Sequence, residues 1–139
     1  MRTAKAVASV AITFLSLDLF WLGFAAQSLY DQALGPLRAE QTVVWAAAVF
    51  YLQYVAVVSF FAVIPSRSRA QAAKRGLGIG WVAYATYGLT NLAVIEGWPT
   101  SLILVDLAWG LCVTSSVAAL SWTITGPPTV DFSSTSSGE

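Results

Sequence analysis

The run TSLILVDLAWGLCVTSSVAALSW, residues 100–122, carries one charge, Asp106, in an otherwise uncharged stretch. A hydrocarbon layer about 30 Å thick is crossed by about 20 apolar residues in a helix, because a helix satisfies its own backbone hydrogen bonds there. The run has that length and composition. It reads as a membrane-spanning helix, stopped by Gly126, Pro127 and Pro128. Working outward, three further stretches read the same way: about 6–26, about 42–64 up to Pro65, and about 76–95. The expected fold class is all-α, an integral membrane four-helix bundle. One four-span domain covers 1–125, followed by a polar tail, 126–139. That tail is rich in Ser, Thr, Pro and Gly and is expected to be disordered, because it buries too little surface to offset its ordering entropy.

Composition supports this. The 139 residues are 57% hydrophobic and only 10% charged, against about 25% charged in a typical soluble domain. So few charges cannot cover a water-facing surface, and the bilayer is the expected partner. Net charge is zero, so no global field recruits nucleic acid. The single cysteine, Cys112, rules out an internal disulfide; lying mid-span, it is expected to be a buried, inert thiol. With no histidine in the chain, triad chemistry and the commonest metal and haem ligand are excluded. No catalytic residue, metal site or cofactor can be assigned from the sequence.

The connections set an expected topology. Arg2 and Lys5 precede the first span, which is read as retained: its apolar run is long for a signal core and encloses Asp18. Gln27 to Gln41 joins spans one and two, with a Gly35-Pro36 turn signal. Pro65 to Arg75 joins spans two and three and holds Arg67, Arg69, Lys74 and Arg75. Glu96 to Pro99 forms a tight hairpin. Four spans then put six of the seven basic residues on one side, leaving only Arg38 on the other. By the positive-inside rule both termini are cytoplasmic, in a bacterial-type inner membrane or an organelle membrane. The cluster Arg67, Arg69, Lys74 and Arg75 is read as a topology signal or an anionic head-group site.

Two carboxylates fall inside the spans. An aspartate near the bilayer centre costs about 2.5–3.5 kcal/mol on insertion scales, and intramembrane ionisable groups are functional candidates by default. Asp18 and Asp106 come at similar depth, with no basic residue inside any span to pair with them. Asn91, Tyr51 and Tyr54 fall in the same outer half. Each aspartate is followed at i+3 by a tryptophan, Trp21 and Trp109, on the same helical face, and then by a glycine. An indole N–H from the neighbouring helix is the expected donor to each carboxylate. In the third span Gly76, Gly80, Tyr84, Gly88 and Asn91, with Tyr87, recur at helical spacing. That pattern reads as close helix packing, with a groove lined by Tyr84, Tyr87 and Asn91 as the sharper alternative. Trp45, Trp81, Trp98 and Trp122 are read as interfacial anchors. The candidate intramembrane polar site is therefore Asp18, Asp106, Asn91, Trp21, Trp109, Tyr51, Tyr54, Tyr84 and Tyr87.

The segments Leu17 to Gly23, Tyr84 to Asn91, Gly97-Trp98-Pro99 and Val105 to Gly110 resemble domain-of-unknown-function family 2177, over roughly Thr3 to Trp122. The run Ala83 to Ala93 is the most specific part; at Gly88 the family pattern carries an acidic residue. The resemblance implies a small four-span membrane protein and brings no activity, cofactor or catalytic residue. Three functions are open on this reading. The first is a transport or permeation module, oligomeric, using the aspartates for a proton, cation or polar solute. The second is an accessory or structural subunit of a larger membrane complex. The third is a lipid-modifying enzyme using carboxylate acid–base chemistry, the weakest fit because no nucleophile or metal set accompanies the acids.

Overall fold

The structure is a computed structural model that describes residues 1–37 and 41–128. The described residues are helical or irregular, with no strand. Helix α1, Arg2–Phe20, runs on through a π-helical turn, Trp21–Ala25. Helix α2, Gln27–Leu34, ends in a short 3-10 turn, Gly35–Leu37. Helix α3, Val44–Val57, continues as a π-helical segment, Val58–Val63. Helices α4, Arg69–Val94, and α5, Thr100–Thr125, complete the chain. Arg38 and residues 129–139, and with them most of the tail expected to be disordered, lie outside the described residues.

Three helical stretches are long and apolar enough to cross a membrane by length and composition: Arg2–Phe24, Val44–Val63 and Thr100–Thr125. The expected third span is not among them. Helix α4 has the length, 26 residues, but its first turns carry Arg69, Lys74 and Arg75, and glycine, threonine, tyrosine and Asn91 dilute the remainder. The start of α4 also differs from the expected loop up to Arg75. Ser68 caps the helix, its side chain accepting from the Gln71 N–H at 3.1 Å. That satisfies an N-terminal N–H and lets the helix begin early. The first connection likewise contains α2 rather than being loop throughout.

The helices meet through faces legible in the sequence once the rotation is known. On α1, Ala6, Val10, Phe14 and Asp18 share one buried stripe at i+4 spacing. Phe14 stacks on Tyr54 with ring centroids 3.7 Å apart, and Val58, Ala62, Val113 and Val117 close the core around them. The α4–α5 seam is built on glycine. A Cβ on Gly76 would lie 2.6 Å from the Thr114 carbonyl oxygen, one on Gly80 2.5 Å from that of Gly110, and one on Gly88 2.8 Å from Ile103 Cγ2. These contacts run in opposite directions along the two helices, so α4 and α5 are antiparallel, turned by the Gly97 bend at φ 77°. The close-packing reading of the third-span glycines is thus the geometry seen. The thiol differs from expectation: Cys112 is exposed, on the side of α5 away from the buried Val113, Thr114 and Val117.

The end of the α3 extension has an unusual closure. Pro65 has no N–H to offer the Phe61 carbonyl. Arg75 Nη1 donates to that oxygen at 3.0 Å instead, and Arg2 Nη1 donates to the Ile64 carbonyl at 2.9 Å. Arg2 Nε also reaches the Gly126 carbonyl at 3.3 Å, and the Trp122 indole donates to the Ser66 carbonyl at 2.9 Å. The start of α1, the segment before α4 and the end of α5 therefore gather at one end, with cations on carbonyls at a helix C-terminus where the dipole favours them. Trp122 is part of this closure rather than a free anchor, whereas Trp45 and Trp81 are exposed. Replacing Arg2 by alanine is expected to lower stability by about 1–2 kcal/mol, read as a lower thermal midpoint in detergent.

Candidate functional site

At the opposite half of the helices the core gives way to a cavity of about 740 Å³, and all five helices line it. Helix α1 and its π turn contribute Asp18, Trp21 and Leu22. Helix α2 contributes Tyr30, and α3 contributes Ala47, Phe50, Tyr51 and Gln53. Helix α4 contributes Val82, Ala83, Tyr84, Thr86 and Tyr87, and α5 contributes Asp106 and Trp109. No lysine or arginine is among these residues.

The sequence explains how each acid comes to face inward. Asp18 continues the α1 stripe one turn beyond Phe14. Asp106 stands one turn before Gly110, on the face of α5 buried against α4. Both carboxylates are buried, Asp18 to 7% and Asp106 to 2% residual exposure. Each accepts a hydrogen bond from a different phenol. Tyr51 donates to Asp18 Oδ2 at 2.6 Å, and Tyr30 donates to Asp106 Oδ1. Among the described residues no hydrogen bond joins the two acids. The pair is thus two phenol–carboxylate units facing one cavity, not a carboxyl dyad.

The two tryptophans expected to donate to the carboxylates also meet each other. Trp21 and Trp109 stack face to face, centroids 4.5 Å apart and planes 8° apart. The two Asp-x-x-Trp segments of the antiparallel α1 and α5 therefore meet through their tryptophans. Neither indole N–H meets strict hydrogen-bond geometry, but that of Trp109 lies close enough to act as a donor toward the Asp18 carboxylate, and that of Trp21 toward the Tyr30 hydroxyl.

Other predicted site residues divide. Tyr84 lines the cavity and lies flat on Gly110, where a Cβ would come within 2.2 Å of its ring. Tyr87 lines it from the rim and packs edge-on against Trp98 at 5.8 Å. Tyr54 turns away into the core and donates to Thr114 Oγ1 at 2.7 Å. Asn91 is partly buried and does not line the cavity. Arg67, Arg69, Lys74 and Arg75 sit at the other end and are exposed; Arg75 is tied to Phe61 as described.

Three polar lining residues, Tyr30, Gln53 and Thr86, lie outside the expected set. Tyr30 lies in a stretch that reads as a loop, yet α2 folds it over Asp106. Burial and the Asp106 carboxylate beside it push the Tyr30 phenol above its ordinary pKa, so it remains a hydrogen-bond donor at any physiological pH. Gln53 and Thr86 are exposed at the rim; each is one polar residue in an apolar run, a weak sign in retrospect. Removing the Tyr51 hydroxyl as Tyr51→Phe is expected to cost about 1–2 kcal/mol, since it strips the donor from a buried carboxylate. Thermal unfolding in detergent measures that loss.

These features define a helical membrane protein with an aromatic-walled, acid-bearing cavity between its helices. The chain belongs to the family described as "Predicted membrane protein (DUF2177)", whose profile matches residues 3–123. No curated protein and no solved structure matches the chain.

Proposed function

We propose that this protein is a membrane-embedded binding and permeation module in which Asp18 and Asp106 handle a proton or a cation. The supporting observation is that both carboxylates line one cavity that, among the described residues, no basic side chain lines. Charges buried for structure alone are normally paired or fully bonded. Here each carboxylate accepts from a phenol, Asp18 with Trp109 also beside it, and among the described residues neither faces a cation; the cavity beside them is large enough for water or a solute.

The arrangement in the membrane follows the same reading. Helix α4 lies antiparallel on α5 along the glycine seam, so a membrane crossed by α5 is crossed by α4 too, lipid-facing composition notwithstanding. Four crossings put the end with Arg2, Lys5, Arg67, Arg69, Lys74 and Arg75 in the cytoplasm and the acid cavity in the opposite half. The protein in proteoliposomes is expected to carry proton or cation flux above protein-free vesicles, with Asp106→Asn near background. Equal flux from the two proteins overturns the Asp106 mechanism.

A second reading, an accessory subunit of a membrane complex, draws on the same tyrosine contacts: Tyr30 and Tyr51 fix the registry of α2 and α3 against α5 and α1. It predicts a stoichiometric partner on purification in mild detergent, and Asn variants that lose stability or partner without changing any flux. Nothing in the cavity favours the lipid-modifying enzyme over these two.

A further inference from the structure

We infer that the solute of this cavity is a lipophilic organic cation, admitted sideways between α3 and α4. The inference rests on the binding-and-permeation reading and names its substrate class.

Size and wall chemistry exclude the simpler cations. A bare metal ion is held by several oxygens at about 2.0–2.6 Å. Among the described residues no group of three or more His, Cys, Asp or Glu is placed to hold one, and the space is hundreds of cubic ångströms. A cavity of about 740 Å³ falls in the range that encloses an organic molecule, roughly 300–1,000 Å³. Its walls are aromatic faces: the Trp21–Trp109 stack, Phe50, Tyr51, Tyr84 and Tyr87. Aromatic faces attract cations through the ring quadrupole, most strongly where water is excluded. Two carboxylates add the charge complement; among the described residues no lysine or arginine lines this cavity, and Arg75 lines only the hollow beyond it. An anion meets two like charges here, and a neutral apolar molecule leaves both unused.

The route follows from the helix arrangement. No Cα of α3 proper comes within 8 Å of one in α4; only the π-helical segment Val58–Val63 closes on that helix. The gap continues as a second hollow of about 560 Å³ between the same helices, sharing Gln53, Val82 and Ala83 with the acid cavity. Phe50 and Val82 stand exposed at its rim. On the far side Tyr30 lies against Asp106. The open side therefore faces where lipid lies, and a cation with apolar substituents reaches it by partitioning into the bilayer.

The test uses the full chain in lipid nanodiscs, with tetraphenylphosphonium as probe and tetraphenylborate as a control of the same size and opposite charge. Binding is read by calorimetry and tryptophan quenching against empty nanodiscs. Saturable phosphonium binding is expected, with borate at least about 100-fold weaker and Asp18→Asn or Asp106→Asn each weakening phosphonium at least about tenfold. Leu104→Ala, on the exposed side of α5, leaves binding unchanged; gel filtration and circular dichroism confirm that each variant is folded. Linking cysteines introduced at Gln53 and Val82, in a Cys112→Ser background, slows phosphonium association. Equal binding of the two probes, or no phosphonium binding, overturns the substrate class; unchanged association after linking overturns the lateral route. If Asp106-dependent proton or potassium flux is seen while phosphonium neither binds nor inhibits it, the substrate class fails and the permeation reading stands. If phosphonium binds through the acids and nothing is carried, the site stands and permeation fails.

Discussion

Gly80→Leu is expected to leave no monodisperse folded protein. A Cβ at this position would sit 2.5 Å from the Gly110 carbonyl oxygen and 3.0 Å from Thr114 Oγ1. The first of these atoms is backbone, so relief requires α4 to move off α5. Overpacking in a well-formed core typically costs about 1–3 kcal/mol, and a change that parts two helices exceeds that. In lipid there is no hydrophobic drive to restore the pair, because close van der Waals contact is what holds small-residue seams together. Gly78→Ala is the matched control. It lies in the same helix with nothing within 4 Å of its Cβ, and is expected to be neutral or up to about 1 kcal/mol stabilising through helix propensity. Fluorescence-detected gel filtration and thermal scans of the two variants give the comparison. A folded Gly80→Leu with an unchanged midpoint contradicts the seam.

Asp106→Asn is expected to remove flux through the protein while keeping the fold. Asparagine has nearly the same shape and still accepts from the Tyr30 hydroxyl, so packing survives. It also removes a charge that is costly in the membrane, and thermal stability is expected to hold or rise. Function and stability should thus move in different directions. A structural aspartate behaves otherwise, since its replacement leaves flux untouched. Flux reduced at least about tenfold, the size of effect expected when a buried charge contact is lost, together with an unchanged or higher midpoint, is the predicted pair of results.

The helices were legible because a bilayer imposes length and composition on each crossing. That logic picks out α1, α3 and α5 by length and composition; α4 falls below them because of its polar residues and basic start. Composition is a test of lipid exposure, and the glycine face of α4 is spent on α5 rather than lipid. Asp18 and Asp106 stood out because a charge in an apolar run has few explanations. Their common cavity was not legible, since depth fixes one coordinate and helix rotation the other. The donors were legible in half: Trp109 stands beside Asp18 on the neighbouring helix as expected, whereas Trp21 stands beside Tyr30 rather than Asp106, and phenols from α2 and α3 supply the close hydrogen bonds. Tyr30 was out of reach, because nothing in Gln27 to Leu34 says that this short helix covers an acid from another span. Cys112 shows the reverse error, a mid-span position taken as buried when most of a small membrane bundle's surface faces lipid.

The central claim is that both aspartates face one accessible cavity inside the membrane. Carbodiimide modification of intramembrane carboxyls, mapped by mass spectrometry on the folded protein, tests it directly. Modification is expected at Asp18 and at Asp106, with reaction at either one suppressing reaction at the other because they share the same space. Two acids that stay unmodified in the folded protein, yet react once it is unfolded in strong detergent, would show a dry packed layer and contradict it.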